Sequence, residues 1–588
     1  MSNANIITLF DKAVEMYGNE PAIIFEGKTI TYNELEININ KLAELLIRKN
    51  IKKGNYVGVC LRKSPELIYA AMAVLKLGAV YVPLAPEYPV ARTDYIIEDA
   101  GIDSLIADSD MRDKFNVKNV ICPIEDLSET NVPEIATEIM QHDDLAYAIY
   151  TSGTTGKPKG VMIHCGGFLN RIQWQRKYFN VDLKDRILHK APIGFDISLW
   201  EMFLPLVSGA ALVISKENGY MDVEYIINLI ESTRVTISQF VPSILRILVE
   251  YTNTNGSSKL ACLRKIVSSG EELTFGLLKS FTQHYPDIKL YNFYGPTEAS
   301  ICVTACCLNE CESKSYVPLG DAIDNMEVFL LDDDNRLITD SHIKGEICIG
   351  GIGVGKGYIN KPQETEYAFC KHYSKEGEVM YRTGDIGYYC DNDLVYVGRK
   401  DQTVKIRGNR VDLGEIEVKI CEISQIEAAV VKCFKTEQES QILAAFYKPV
   451  NKDSDNLKIQ ELLAGYLKNE LPAYMLPQQY IKVDEFELTS NGKIDREKLK
   501  LEEKIPLINA NNGLNEDKDK KAIIIKLFTK YLNCEISEDD DFFILGGSSL
   551  EAIRMIMEIN NELNISLKYT DVMLDLTVNG IVNACDSV

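Results

Sequence analysis

From Thr29 to about Gly350 helical and strand-like patterns alternate, and this alternation most restricts the folds open to the chain. Glu34 to Lys49 carries Leu35, Ile39, Leu42, Leu45 and Leu46 at helical spacing. Tyr56 to Cys60 reads as a buried strand, Leu67 to Leu77 as a helix ending at Gly78, and Val80 to Val82 as a strand closed by Pro83. Strands separated by helices join as parallel neighbours through crossovers, so a large α/β domain is predicted. Beyond Arg399 the pattern changes to short strands and two helices, a smaller α+β unit running to about Arg496. Leu499 to Lys521 is rich in Lys, Glu, Asn and Asp and reads as a solvated linker. Helical patterns follow over Ala522 to Leu532, Leu550 to Leu563, Thr570 to Leu576 and Val578 to Cys585, which predicts an acidic all-α four-helix bundle.

The length of 588 residues, against ~100–200 per domain, agrees with several domains. Apolar residues at 46% and charged residues at 25% exclude a wholly disordered, collagenous or coiled-coil chain. A net charge of −23 disfavours nucleic acid or an anionic membrane as partner. The 15 cysteines lack paired spacing, which suggests reduced thiols, and Cys302, Cys306, Cys307 and Cys311 lack the C-x-x-C step of a metal site. No basic leader is visible, and Tyr69 to Pro86 is broken by Lys76, Gly78 and Pro83. A cytoplasmic location is expected.

The strongest chemical signal is Tyr150-Thr-Ser-Gly-Thr-Thr-Gly-Lys-Pro-Lys-Gly160, which follows the apolar run Leu145 to Tyr150. Gly153 and Gly156 allow close backbone approach to a ligand. Thr151, Ser152, Thr154 and Thr155 bring hydroxyls, and Lys157 and Lys159 bring charge. Backbone N–H groups and lysines together suit a polyphosphate. Pro158 stands where a Walker A loop has Ser or Thr, so that loop type is excluded. The plainer reading of the same residues is a flexible surface loop.

This loop resembles the signature of adenylate-forming enzymes, and residues 5 to 498 resemble the adenylation domain of a nonribosomal peptide synthetase. The family's other motifs appear in order: Leu75 to Leu84, Asn292-Phe-Tyr-Gly-Pro-Thr-Glu298, Gly345 to Gly351, Tyr381-Arg-Thr-Gly-Asp385, Gly398 to Gly408 and Asn491-Gly-Lys-Ile-Asp-Arg496. The resemblance implies a large domain over 1–399, a small one over 400–498 that rotates about a hinge at Asp401, a linker over 499–517 and a carrier domain over 518–588. It implies ATP and Mg2+ as cofactors, with Asn292, Tyr294, Asp385, Tyr396 and Arg399 on the nucleotide. Thr297, Glu298, Lys405 and Lys493 are the implied catalytic groups, Glu298 also holding magnesium. Each role is chemically sound. Tyr294 offers a face to a purine, Thr297 and Glu298 offer hard oxygens, Asp385 can accept from a ribose diol, and Arg399 can fork onto oxygens. Taken singly, Tyr294 reads as core and Asp385 as a turn residue or cap.

The resemblance also implies an amino-acid pocket. Asp196, after Phe195, would pair with the substrate ammonium, since a buried ammonium needs a carboxylate. Its alternative is the N-cap of a helix through Trp200. The other wall positions are Ile197, Trp200, Gln239, Val267, Ser269, Phe293, Ile301 and Cys302, with Lys493 on the carboxylate. Ile197, Trp200 and Phe293 are bulky, while Gln239 and Ser269 can hydrogen bond, so a small polar amino acid is expected: serine first, then glycine or cysteine. One methylene is worth only ~1–3 kcal/mol in such a pocket.

Asp541-Phe-Phe-Ile-Leu-Gly-Gly-Ser-Ser-Leu550 resembles the attachment site of a peptidyl carrier protein, with 4′-phosphopantetheine on Ser549. A helix beginning there attracts phosphate; a plain Ser cap is the alternative. Neither an H-H-x-x-x-D-G run nor a G-x-S-x-G elbow is present. The expectation is a stand-alone loading module that forms aminoacyl-AMP and then a carrier thioester. Its implied partners are a phosphopantetheinyl transferase, a downstream condensation or other carrier-using enzyme in trans, and a small helper protein for solubility. The rivals are an acyl-CoA or aryl-acid ligase, which Asp196 and the carrier unit disfavour, and a catalytically idle nucleotide-binding scaffold.

Overall fold

The structure is a computed structural model. It describes residues 5–127, 135–153, 156–255, 257–311, 314–401, 403–406, 408–435, 441–452, 454–487, 494–501, 516–532, 536–540, 542, 549–563, 565, 567, 569–572 and 575–585. The chain divides into two compact units, Met1–Ser152 with Pro158–Arg410, and Gly153–Lys157 with Val411–Val588. The division falls at Arg410, beyond the expected boundary at 399/400. The intervening segment bonds within the first unit: Gly408 N–H donates to Glu271 Oε1 at 2.8 Å, and Arg410 Nη1 to Glu298 Oε1 at 3.0 Å.

Among the described residues the first unit holds three large sheets. The largest has nine strands, and from Lys289–Tyr294 through Lys265–Ser268, Ile237–Phe240, Arg186–His189 and Ala211–Ile214 to Pro21–Phe25 every neighbour runs parallel. The second has six strands, parallel from Asn119–Ile121 to Leu145–Thr151 and ending in antiparallel Lys159–His164. Helices supply the crossovers. Tyr32–Arg48, for example, starts at a Thr31–Glu34 capping box and buries Leu35, Ile39, Leu42 and Leu46.

The third sheet departs from the expected alternation. Residues 326 to 399 form a six-stranded antiparallel sheet instead of continuing the parallel pattern to Gly350. Local turns decide this. Asp391 and Asn392 both have positive φ (49° and 70°) and close a tight hairpin between Val379–Cys390 and Asp393–Arg399. A one-residue register shift between Ile386 and Gly387 then sets Asp385 opposite Arg399.

In the second unit a three-stranded sheet, Ile426–Lys435, Gln441–Pro449 and Gln479–Lys482, accompanies the helices Leu413–Cys421 and Asn456–Glu470. Four further helices follow among the described residues: Glu516–Leu532, Ser549–Leu563, Tyr569–Val572 and Val578–Cys585. Ile524, Leu527, Phe528, Met555, Ile559 and Ile581 are buried among them, with Phe528 and Phe542 edge-on at 5.2 Å. The first of these helices begins at Glu516, inside the expected linker, because its charged first turn continues a helix whose apolar residues start only at Ala522. Among the described residues no helix is long and apolar enough to cross a membrane.

Candidate active site

Two groups of residues in the first unit carry the site. On the motif side, the strand Lys289–Tyr294 delivers Asn292, Phe293 and Tyr294, and the turn Thr297–Ala299 follows at once. Asn292 Nδ2 is spent on the carbonyl of Pro318 at 2.9 Å. Tyr294 Oη donates to Asp385 Oδ2 at 2.7 Å, and Arg399 Nη1 donates to Asp385 Oδ1 at 2.6 Å. Arg399 also forks onto both oxygens of Asp401 at 2.8 Å. Burial opposes the charge of Asp401, but Arg399 holds its carboxyl below the usual range. Tyr396 sits on the strand of Arg399, with its hydroxyl pKa raised by burial and then by Asp385. Lys405 Nζ lies 5.8 Å from the centre of the Tyr294 ring, and burial lowers its pKa.

Glu298 is 1% exposed and accepts from Tyr358 Oη at 2.9 Å and from Arg410 Nη1 at 3.0 Å. Burial pushes its carboxyl up, yet Arg410 and the hydrogen bonds win, so it lies below the ordinary value and stays ionised. One ionised buried carboxylate suits Mg2+, which takes one or two protein carboxylates and completes its shell with water and substrate phosphates. The fit requires Arg410 to share or yield that carboxylate.

The glycine-rich loop joins two antiparallel strands, with Thr151 opposite Lys159, and no helix follows it directly. Ser152 Oγ donates to the carbonyl of Arg410 at 2.8 Å, and Lys159 Nζ lies 5.5 Å from the centre of the Tyr358 ring. Gly153, Gly156 and Lys157 belong to the second unit, where Gly153 N–H donates to Glu415 Oε2 at 3.2 Å. Thr154 and Thr155 lie outside the described residues.

On the pocket side, neighbouring strands set Gln239 opposite Val267, and Gln239 Nε2 donates to Ser269 Oγ at 3.4 Å. Phe293 follows on the next strand of the same sheet. Ile301 has φ +79°, a strained conformation for a β-branched residue, inside a three-residue turn closed by Cys302 N–H to Ser300 O at 3.1 Å. Gly295 permits this turn, because a Cβ there would stand 2.4 Å from the Cα of Cys302. Strain of this kind collects at functional positions.

Asp196 stands at the N-cap position of Ile197–Leu206, but its side chain makes no capping hydrogen bond. Thr297 and the backbone N–H of Ile197 favour its charged form. Burial, with Glu298 nearby, pushes its pKa up to about 7. The N-cap alternative therefore does not account for this carboxylate. Trp200 is fully buried on the same helix.

Several residues that matter here escaped the sequence reading. Glu201 Oε2 ties the Asp196–Trp200 helix to the end of Arg186–His189, accepting from His189 Nδ1, Lys190 N and Ala191 N at 3.2, 3.0 and 2.9 Å. Its signal was present as the one charge in the apolar run Leu199-Trp-Glu-Met-Phe-Leu204. Lys190 Nζ reaches Gln239 Oε1 at 3.4 Å, and burial lowers its pKa to about 8. Arg410 and Arg171 are two more. Lys493 lies outside the described residues. Ser549 begins a 15-residue helix, a terminus suited to a phosphodiester, though its side chain is not described.

Comparison with known proteins fits this geometry. Residues 10–359 match the AMP-binding enzyme family, 415–493 the AMP-binding enzyme C-terminal domain, and 522–585 the phosphopantetheine attachment site. The chain belongs to the AMP-binding enzymes. It is 37% identical over 510 residues to Zwittermicin A synthase ZmaJ of Bacillus cereus, covering 84% of this chain and 94% of that one. It is 32% identical over 570 residues to Tyrocidine synthase 3 of Brevibacillus parabrevis, covering 96% of this chain but only 9% of the relative. A solved nonribosomal peptide synthetase protein containing adenylation and PCP domains, bound to a vinylsulfonamide inhibitor, superposes with TM-score 0.82. It is 21% identical and covers 99% of this chain and 96% of its own, which shows the fold. The family reading thus stands as an ATP-dependent adenylating ligase joined to a carrier domain, with ATP, Mg2+ and 4′-phosphopantetheine as cofactors.

Proposed function

We propose that this AMP-binding enzyme activates a small polar α-amino acid, serine first and then glycine or cysteine, and loads it onto its own carrier domain. A carboxylate oxygen of the amino acid attacks the α-phosphorus of ATP. The bond to the bridging oxygen breaks, and pyrophosphate leaves with the electron pair. Asp196 receives the substrate ammonium, and this carboxylate is the observation that carries the reading: it lies within reach of Glu298, and its side chain makes no capping hydrogen bond. Glu298 would hold Mg2+, which supplies charge neutralisation at the phosphates when bound. Lys493 would neutralise the forming mixed anhydride, and Lys405 would assist after rotation about Asp401. The acyl group then passes to the thiol of the arm on Ser549, and AMP leaves.

Transfer onward would occur in trans, to a condensation or other carrier-using enzyme, once a phosphopantetheinyl transferase has modified Ser549. Support for an adenylating enzyme joined to its own carrier comes from the AMP-binding matches over 10–359 and 415–493, followed by the phosphopantetheine attachment match over 522–585. Amino-acid-dependent pyrophosphate exchange across the proteinogenic set tests the first step: a small polar amino acid should win, and a large aromatic one or an acid without an α-amine should not. Mass spectrometry after transferase treatment tests the second. Ser549→Ala should gain no arm yet keep exchange, and an arm on that variant would move the site.

A further inference from the structure

Arg171 stands on Cys165–Phe179, the helix that packs against Phe293, and is 1% exposed. Its guanidinium lies 5.1 Å from the centre of the Trp174 ring and 5.5 Å from that of Phe293. Nη1 donates to Gln175 Oε1 at 2.6 Å, while Nε and Nη2 have no hydrogen-bond partner among the described residues. The same holds for two neighbouring buried groups, Gln175 Nε2 and Tyr147 Oη. Cys302, Tyr147 and Asp196 are among the groups within electrostatic reach of Arg171. Asp196 is promised to the substrate ammonium, and a thiol is a weak acceptor. A guanidinium cannot shed its charge. The place is therefore rich in donors and short of acceptors, and the aromatic faces offset part of the charge without offering an oxygen.

We propose that Arg171 determines specificity by donating to an oxygen atom on the substrate side chain. The inference rests on the amino-acid-activating reading and narrows it. Asp196 lies within electrostatic reach of Arg171, so a substrate whose ammonium is held at Asp196 brings its side chain toward the guanidinium. A hydroxyl or carboxylate one or two bonds beyond the β-carbon supplies the missing acceptor, as serine does first and aspartate next. Glycine and alanine lack it, and cysteine offers only a weak one. Gln175 is a positioning residue, holding Nη1 at one edge of the guanidinium while Nε and Nη2 stay without a partner among the described residues.

The experiment is pyrophosphate exchange on the full chain with serine, aspartate, asparagine, glycine, alanine, 2-aminobutyrate and cysteine, in the wild type, Arg171→Met, Arg171→Lys and Tyr147→Phe. An oxygen-bearing substrate should exceed alanine in kcat/KM by about 100-fold or more in the wild type, because a site built to donate leaves buried groups unpaired when the oxygen is missing. Arg171→Met should shrink that ratio by about 10–100-fold, while the KM for ATP stays the same. A merely structural arginine would lower all substrates together and leave the ratio unmoved. Arg171→Lys should keep part of the preference. If Arg171→Met fails to fold, the wild-type panel decides: alanine or 2-aminobutyrate matching serine and aspartate overturns the proposal. Exchange driven by acids without an α-amine, and by no amino acid, would overturn both this proposal and the amino-acid reading.

Discussion

The two sides of the site treat their polar groups differently. Around the nucleotide motifs, Asp385, Arg399 and Asp401 satisfy one another, and Glu298 is matched by Tyr358 and Arg410, of whose guanidinium only Nε is left without a partner among the described residues. Around the amino-acid pocket, Arg171, Gln175 and Tyr147 each keep a buried atom without a partner among the described residues. Opposite charges in the first group stand in for ligands and have to be exchanged for them. The second group has no such internal substitute, so the ligand itself completes it. A buried donor without an acceptor costs ~1–3 kcal/mol, and substrate binding recovers that cost only when the substrate brings the acceptor.

The comparison can be broken most severely at Asp196. Asp196→Ala leaves the substrate ammonium unpaired, which costs about 3–5 kcal/mol. Amino-acid kcat/KM in exchange should fall by that factor with the KM for ATP unchanged, and an equal rise in both constants would place Asp196 on the nucleotide side. Next is Glu298→Gln. Loss of a preorganised charge at the phosphates costs roughly 3–4 kcal/mol in rate, and Arg410 also loses its counter-charge. Exchange should drop while the ranking of amino acids stays; a changed ranking would merge the two sides. Glu201→Gln is milder, since one amide oxygen can keep only part of three hydrogen bonds. A loss of about 1–3 kcal/mol is expected. Both tryptophans, Trp174 and Trp200, belong to the first unit, so their fluorescence during urea unfolding reports that unit.

The smallest effect is in pH. The pKa of Asp196 is raised to about 7, so its carboxylate is neutral below that value and ionised above it. Ammonium binding is therefore present above pH 7 and lost as pH falls through it. KM for the amino acid should rise about tenfold from pH 8 to pH 6, following the ionised fraction, and the KM for ATP should follow it less. A flat amino-acid profile would mean that Asp196 is already ionised by its neighbours.

Much of the fold was legible because its signals are local. Helical spacing of Leu35, Ile39, Leu42 and Leu46 places Tyr32–Arg48, and the apolar run Tyr56–Cys60 is a strand at the expected residues. The antiparallel third sheet was not legible, since its strands resemble buried parallel ones in composition and only the Asp391–Asn392 turn betrays the hairpin. Among site residues, Asp385, Arg399, Tyr294 and Glu298 stood in ordered motifs. Arg171 did not: on its helix it reads as an ordinary charge between Asn170 and Ile172.

The sequence by itself determined which elements form and which motif residues the chain carries, because periodicity, capping and turn chemistry act within a few residues. Only the tertiary structure decided what those residues face. Cross-strand register put Asp385 against Arg399, the turn at Ile301 brought Cys302 toward Arg171, and helix packing turned the Arg171 guanidinium inward among Trp174, Phe293 and Tyr147. These are contacts between residues far apart in the chain. Whether a buried charge finds an acceptor depends on that packing, and no local pattern encodes it.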